Sequence, residues 1–557
     1  MITKTIRATA LVGLLAATAL VAAPLSAAGT EPTPLTPIEA PEGTVGHEGL
    51  GDDTKVVPAA VERAEALGIP QFASESDGSP STLSISSGTH RIFVSVVSVT
   101  SSTSDDVNTG LEIQAAKNAV VAINDYWQAE SAGKVKFTYA GYETRSLNLS
   151  YCDPDAIWNS QQNVAFGGKF AKGKFIGTDD HLLTLTKEKT QCGSRGFGTV
   201  GYGGGLIFSA NGLDTTIGLP ILYHEYGHNL GFQHANGAVC RSASIDGPAS
   251  AFKFVTYTGD PTTTSVACPV DEYNDRLDIM GYSINNAIPH ASSSYRFAAG
   301  WMGASKPTLG KTSTITLQPL NDTSGTRAVR VVDPRTGVVY FVEYRTKEGR
   351  DATAQEFSNT TAGTYYRFNY SGNYAFGFAP AANNSTGVVR ILRQVKNPIA
   401  GQPMNSTVLA VTPVSADGRT RLNGLQAGGT FTTNGGGTKI TVSSLNPATG
   451  AVVTFTSAKS NSKVSSKPAK SSIKKNKSSK LKITVTAVGN TKPTGTVTVY
   501  AKGKKLKAYP LYASKSGKVT VTLPKFTKKG SYSITVKYSG STNALASSSK
   551  AVKVRVK

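Results

Sequence analysis

His224-Glu225-Tyr226-Gly227-His228-Asn229-Leu230-Gly231-Phe232-Gln233-His234 is the most informative stretch of the chain. It has the form H-E-x-x-H-x-x-G-x-x-H, and each fixed position has a chemical reason. His224 and His228 stand four apart, so on a helix both imidazoles leave one face, one turn apart. Glu225 follows the first histidine and can reach a water held by a metal there. Gly231 predicts a sharp helix exit, because glycine takes positive backbone angles without strain. That exit can return His234 to the same point as a third imidazole. Three imidazoles suit a tetrahedral zinc and leave one position for water. Zinc lowers the pKa of such a water and polarises a carbonyl.

The chain has seven histidines in 557 residues, and three stand here at ligand spacing. Met280, one of four methionines, follows in Asp278-Ile279-Met280-Gly281-Tyr282. A long histidine motif followed by a methionine turn is far more specific than the five-residue motif alone. The competing reading is a set of ordinary helix histidines on a polar face. His47, His90, His181 and His290 have no ligand spacing and read as structural or surface residues.

The length suggests three to four domains. A hydrophobic share of 39% supports packed cores without being membrane-like. Lys4 and Arg7, the apolar run 8–23 and the small residues Ser26-Ala27-Ala28 predict an export signal over 1–28. An uncleaved anchor is the alternative, but the run is short for spanning. No later segment is long and apolar enough to cross a bilayer, so the expected location is secreted, extracellular or cell-surface associated. Cys152, Cys192, Cys240 and Cys268 fit an oxidising compartment. Three pairings are possible; proximity favours Cys152 with Cys192 and Cys240 with Cys268.

Net charge is +22, and it is unevenly placed. Residues 459–557 hold 24 Lys/Arg and no Asp or Glu, which leaves 34 basic against 36 acidic residues in the rest. Such a block implies a polyanionic partner or a solubilising surface. Few aromatics are interleaved and the chain reads as exported, so nucleic acid is a poor fit. Extracellular polyanions such as wall polymers, lipid surfaces or acidic glycans fit better.

Residues 29–88 are rich in Pro, Gly, Ser and acidic residues, and only Ala59 to Leu67 has a helical pattern. They form a candidate propeptide or a flexible spacer. The stretch has no cysteine, so a carboxylate such as Asp52 or Asp53 would have to do any blocking of the zinc. From His90 the pattern is globular. Arg91 to Val99, Lys134 to Ala140, Asp180 to Thr186 and Gly205 to Ala210 read as strands. Ile113, Ala116, Val120, Ile123 and Trp127 mark an amphipathic helix. Pro220 belongs in the first turn of the histidine helix, where its missing N–H costs little. The elements make an α/β or α+β domain over 89–306, and α+β is the class expected.

Beyond Trp301 short β runs predominate: Thr314 to Leu317, Val339 to Arg345, Thr364 to Tyr370, Val388 to Leu392, Val408 to Val411 and Lys439 to Ser443. They predict a β-sandwich over 307–457. Residues 458–480 read as a Ser/Lys-rich linker. Residues 481–557 alternate strictly and predict a small immunoglobulin-like sandwich.

The catalytic region resembles the gametolysin-like family of secreted metzincin zinc peptidases. His224 to His234 carry the resemblance, with Glu272-Tyr273-Asn274-Asp275 leading into the methionine turn. Arg296-Phe297-Ala298-Ala299-Gly300-Trp301 and Tyr340-Phe341-Val342-Glu343-Tyr344-Arg345 extend it, so that it covers roughly 90–457. The tail resembles bacterial immunoglobulin-like surface repeats. Ala235, after the third histidine, does not select a metzincin branch.

The resemblance implies a metallopeptidase acting on protein or peptide, with one catalytic zinc on His224, His228 and His234. Glu225 would be the general base and Met280 a packing floor. Tyr282 stands where some metzincins keep a tyrosine that meets zinc or the oxyanion; an ordinary packed aromatic is the alternative. Gly203-Gly204-Gly205-Leu206-Ile207-Phe208 would be the edge strand that pairs with substrate, or a plain loop. Asp271, Glu272, Asp275 and Asp278 form an acid cluster. They read as a solvated loop; a calcium site, the alternative, requires converging oxygens. The rival functions are a surface adhesin or polyanion-binding protein on a protease-like scaffold, and a different zinc hydrolase such as an amidase.

Overall fold

Apolar β-branched runs and one period-3.6 helix build the first layer around the histidine segment. The computed structural model describes residues 54–55, 87–99, 108–149, 151–187, 196–201, 203–213, 215, 217–238, 240, 245–255, 267–273, 275–281, 288–354, 357, 386–395, 405–409, 424–490 and 492–557. Strands β1 (Thr54–Lys55), β2 (Gly88–Val99), β3 (Val135–Leu147), β4 (Asp180–Thr186), β5 (Gly196–Thr199) and β6 (Gly205–Ser209) form one sheet in the order β1-β5-β6-β4-β2-β3. Every pairing is parallel except β5 with β6. β4 and β6 are buried along their whole length, as central strands of a parallel sheet are.

Helices cover both faces. α1 (Ile113–Glu130) and α3 (Gly218–Asn229) share one core with Ile92, Val94, Leu183 and Ile207. α2 (Pro154–Gly168) packs on the other face, where Ile157 and Trp158 meet Val97, Leu182 and Phe208. Its cap is Asp153, whose carboxylate accepts the N–H groups of Asp155 and Ala156. A mainly parallel sheet with helices on both faces is α/β, so the α+β expectation is corrected. The Gly-rich run is also corrected. β6 lies inside the sheet between β5 and β4, and β5 is the strand beyond it.

The next segment leaves this layer. β7 (Ala235–Ala238), β8 (Phe252–Val255) and β9 (Cys268–Asp271) follow α3, and the short α4 (Ser293–Ala298) comes after them. Then come β10 (Thr312–Leu317), β11 (Ala328–Val332), β12 (Val339–Arg345), β13 (Val388–Val395), β14 (Asn405–Leu409), β15 (Thr430–Thr432), β16 (Thr438–Ser444) and β17 (Ala451–Ser457). They form a seven-stranded sheet, β11-β12-β13-β14-β7-β9-β8, and a four-stranded sheet, β10-β17-β16-β15. Both contribute to one core, with Val329, Tyr340 and Val342 meeting Phe431, Ile440 and Phe455.

This is the expected sandwich, with one difference. Three of its strands come from the segment assigned to the preceding domain, so residue 306 is not a clean boundary. Ala235-Asn236-Gly237-Ala238 has no β propensity of its own. It is a strand because β14 pairs with it in parallel and β9 on its other side. The expected helix 59–67 and strand 364–370 lie outside the described residues.

The C-terminal layer contains β18 (Ser462–Pro468), β19 (Ser472–Ile473), β20 (Lys480–Ala487), β21 (Gly495–Ala501), β22 (Lys504–Leu511), β23 (Lys518–Thr522), β24 (Gly530–Tyr538), β25 (Ser547–Ser548) and β26 (Val552–Val556). Its sheets are β18-β20-β23 and β19-β26-β24-β21-β22, with β25 on β24. Leu481, Ile483 and Val485 meet Val497, Val499, Ile534 and Val536 between them. The linker reading of 458–480 is thereby corrected. β18 pairs with β20 over seven residues, and Val464 and Ile473 enter the core. Two large apolar residues are too few to stand out in a Ser/Lys-rich sequence, yet enough to anchor two strands. Among the described residues no helix is long and apolar enough to cross a membrane.

Cys240 and Cys268 are joined, tying the end of β7 to the start of β9 across a separation of 28 residues. Cys152 is also disulfide-bonded; Cys192 lies outside the described residues. Closing a loop of that length stabilises by about 3–4 kcal/mol on the loop-entropy scale. Replacing both Cys240 and Cys268 by Ser is expected to lower the stability of the sandwich unit by that amount in denaturant unfolding.

Candidate metal centre

α3 presents His224 and His228 one turn apart, with ring centroids 4.7 Å from each other. The helix ends at Asn229, and Gly231 then takes φ +92°. Its N–H donates to His228 O and the next N–H, of Phe232, to Gly227 O. This left-handed exit swings the chain back, as the spacing predicted. The His234 ring comes to rest 4.8 Å from His228 and 5.5 Å from His224. One ligand nitrogen from each of the three lies within 4.8 Å of the other two. Among the described residues no other group of three His, Cys, Asp or Glu side chains converges in this way.

Hydrogen bonding assigns the nitrogens. His224 Nδ1 is 2.8 Å from Ile279 O, and His228 Nδ1 is 2.8 Å from Phe232 O. Carbonyl oxygens only accept, so both Nδ1 atoms carry the proton. His234 Nδ1 lies 2.6 Å from Glu272 Oε1, and an ionised carboxylate likewise accepts. In each neutral ring Nε2 is then the unprotonated nitrogen, the one able to serve as a ligand. His228 Nε2 and His234 Nε2 are 3.1 Å apart. At that separation both nitrogens are within reach of a single ion. The donor set therefore fits a metal ion that accepts three neutral imidazoles.

The surroundings hold the rings in place. Met280 is fully buried under α3, and a Cβ on Gly227 would stand 2.2 Å from its sulfur, so only glycine allows this approach. Ala235 N–H donates to Met280 O, and Tyr295 OH donates to His234 O. β7 begins at the next residue, so pairing with β14 also anchors the third histidine. Glu225 turns toward the sheet. A Cβ on Gly196 would lie 2.9 Å from its Oε1 and one on Gly198 3.1 Å from its Oε2, which places the carboxylate against β5. Tyr282 lies outside the described residues.

The acid cluster does not converge. Glu272 serves His234, Asp275 accepts from Arg390, and Asp278 accepts the N–H groups of Met280 and Ser292. Separate partners leave no shared oxygen cage among these three, and because Asp275 and Asp278 are fully buried the solvated-loop reading is corrected. Burial, and then the neighbouring Asp275, push the Asp278 pKa upward.

A second polar chain was not legible in the sequence. Asn229 Nδ2 donates to Thr199 O at 2.7 Å, so its Oδ1 faces His181 Nδ1 and accepts from it at 2.8 Å. His181 Nε2 must then accept from His90 Nδ1, 2.9 Å away. All three side chains are fully buried, and together they pin the end of α3 to β5. A histidine inside the apolar run Asp180-His181-Leu182-Leu183 was the available signal. Burial, followed by the neighbouring His90, lowers the His181 pKa to about 3.

The C-terminal layer is a bacterial Ig-like domain: residues 464–557 match the family described as bacterial Ig-like domain (group 3). The chain as a whole is multidomain, an α/β layer and a β-sandwich followed by this domain, with a histidine triad able to hold a metal. No curated protein matches the sequence. Among solved structures, the CARDB domain of a Pyrococcus furiosus protein in complex with di-metal ions is 19% identical. That alignment covers 17% of this chain and 91% of that one, with a TM-score of 0.14. A beta-glucosidase from Listeria innocua in complex with isofagomine is 11% identical, over 84% of this chain and 46% of that one, with a TM-score of 0.12. Superpositions this poor carry no inference about fold or chemistry.

Glu272→Gln keeps the shape of the third-ligand contact and removes its charge. Metal affinity measured by chelator competition is expected to fall roughly 10–100-fold. The neutral His181 ring belongs to the folded state, whereas the unfolded ring protonates near pH 6.5. Its contribution to stability is therefore complete above pH 6.5 and is lost as pH falls toward 3. Between pH 6.5 and 4.5 the loss amounts to about 2–3 kcal/mol. Urea unfolding of His181→Gln at the two pH values should show a correspondingly smaller drop than wild type.

Proposed function

We propose that the chain is an exported zinc endopeptidase of the metzincin type. The observation that carries this reading is the triad itself: three imidazoles, each with Nδ1 held by an acceptor, and each offering a ligand nitrogen within 4.8 Å of the others. His224, His228 and His234 would hold the ion. When bound, zinc supplies Lewis acidity and a water that is nucleophilic near neutral pH. Glu225, the residue after the first ligand, would take the proton from that water and pass it to the leaving amine. Its near-complete burial beside β5 keeps competing solvent away from the carboxylate.

β5 is the strand on which an extended substrate would add. It borders Glu225 and runs antiparallel to β6. Two residues of the 29–88 stretch already pair there, Thr54 beside Gly198 and Lys55 beside Thr199. That pairing supports reading 29–88 as a propeptide that occupies the substrate edge. The basic tail, with its Ig-like fold, supports a second role in holding the enzyme to an extracellular polyanion. If no peptidase activity exists, the same tail favours the adhesin reading.

The test is cleavage of a denatured protein by the chain with and without residues 29–88. The truncated form is expected to be faster, and a chelator should stop both. Glu225→Ala should lower the rate on the order of 10²–10⁴-fold while zinc content stays at one per chain. Cleavage by Glu225→Ala at the wild-type rate would falsify the mechanism. Silence of the truncated, zinc-loaded chain would leave the adhesin.

A further inference from the structure

We propose that the outer face of the three-stranded sheet β18-β20-β23 binds a linear polymer of alcohol phosphodiester repeats, of the poly(glycerol phosphate) type. The proposal rests on reading the tail as a polyanion-binding module, and it names the face and the ligand chemistry. Lys463 and Lys467 on β18, Lys480 and Lys482 on β20 and Lys518 on β23 all point outward and are exposed. The inward positions between them, Val464, Leu481, Ile483 and Val521, belong to the core. The remaining outward positions along these alternations are serine and threonine.

This face is unusual in its pairing. Lys467 stands directly opposite Lys482, and Thr520 faces Lys482 from the other side. Like charges directly opposed across an antiparallel pair destabilise it. Residues 459–557 contain no acidic side chain that could offset them. The neighbours are about 5 Å apart across the strands and about 7 Å apart along them, so the charge forms a flat lattice. A flat lattice suits a polymer with repeated single charges.

The residue type narrows the ligand. Of the 24 basic residues in 459–557, 23 are lysine, and the single arginine, Arg555, lies on β26 in the other sheet. A planar guanidinium fork binds carboxylate and phosphate bidentately, whereas an ammonium meets a phosphate as a compact point charge. Monoanionic phosphodiesters spaced along a chain match point charges. The outward positions also carry hydroxyls that can donate to phosphate oxygens. No aromatic side chain stands on this face, so nucleobases have no stacking platform there.

The experiment uses the full chain and poly(glycerol phosphate) of about 20 repeats as the probe, in titrations at several salt concentrations. Hyaluronate, single-stranded DNA and phosphatidylglycerol vesicles are the comparators. Binding of the probe should be the tightest and should weaken steeply with salt. The double variant Lys467→Thr with Lys482→Thr removes two charges and leaves β-favouring residues at exposed strand positions. Its affinity should fall about tenfold, with the log–log salt slope shallower by about 1–2. The variant Lys553→Thr with Arg555→Thr removes the same charge from exposed positions of β26 and should stay within about twofold. Equal weakening by the two variants, or tighter binding of any comparator, overturns the assignment. Absence of salt-sensitive binding to every polyanion overturns the broader reading of the tail as well. Peptide cleavage should be the same in both variants, so failure here leaves the peptidase proposal standing.

Discussion

Three Nδ1–H donations decide what the histidines can do. Ile279 O, Phe232 O and Glu272 Oε1 each take the Nδ1 proton of one ring, and so Nε2 is the nitrogen able to serve as a ligand in each. These acceptors come from different places: the methionine turn, the chain just past the helix and the segment after β9. The left-handed turn at Gly231, the close approach of Met280 to Gly227 and the pairing of β7 all set where those acceptors stand. Without them the motif would be three imidazoles on a flexible exit, free to choose other tautomers.

The second sheet is part of this support. Buried Arg390 reaches Asp275 and Glu343, and Glu343 in turn accepts the Ser293 N–H at the start of α4. Arg345 joins Glu343 to Asp351. Breaking one member of such a buried network costs about 3–5 kcal/mol, because it strands the opposite charge. The sandwich and the α/β layer are thus welded by polar contacts as well as by the strands β7, β8 and β9, which the chain just after α3 contributes to the sandwich sheet. The methionine turn is held from both sides.

The C-terminal domain follows a different physical rule. Its core is a simple alternation of valine, isoleucine and leucine, and its surface holds nearly half of the chain's positive charge. The rest of the chain is close to neutral. Any long-range attraction to anions therefore originates in the tail, whereas the histidine triad depends on short, buried contacts that salt scarcely screens.

Local rules settled much of this protein. The ligand spacing, the helix exit at Gly231, the strands Asp180–Thr186 and Val339–Arg345, the amphipathic helix and the alternating tail all follow from periodicity or from a single residue's backbone freedom. Tertiary structure decided what local rules cannot reach. Ala235–Ala238 became a strand because β14 and β9 pair with it on either side, and the sparse apolar residues of 458–480 became strands because β20 and β26 pair with them. Glu272 became the partner of His234, and His90, His181 and Asn229 became one buried chain, through contacts between residues 38 to 91 positions apart. Spacing of a few residues is written into helix and strand geometry. Partners that far apart are chosen only by packing, which burial enforces once every polar atom must find its mate.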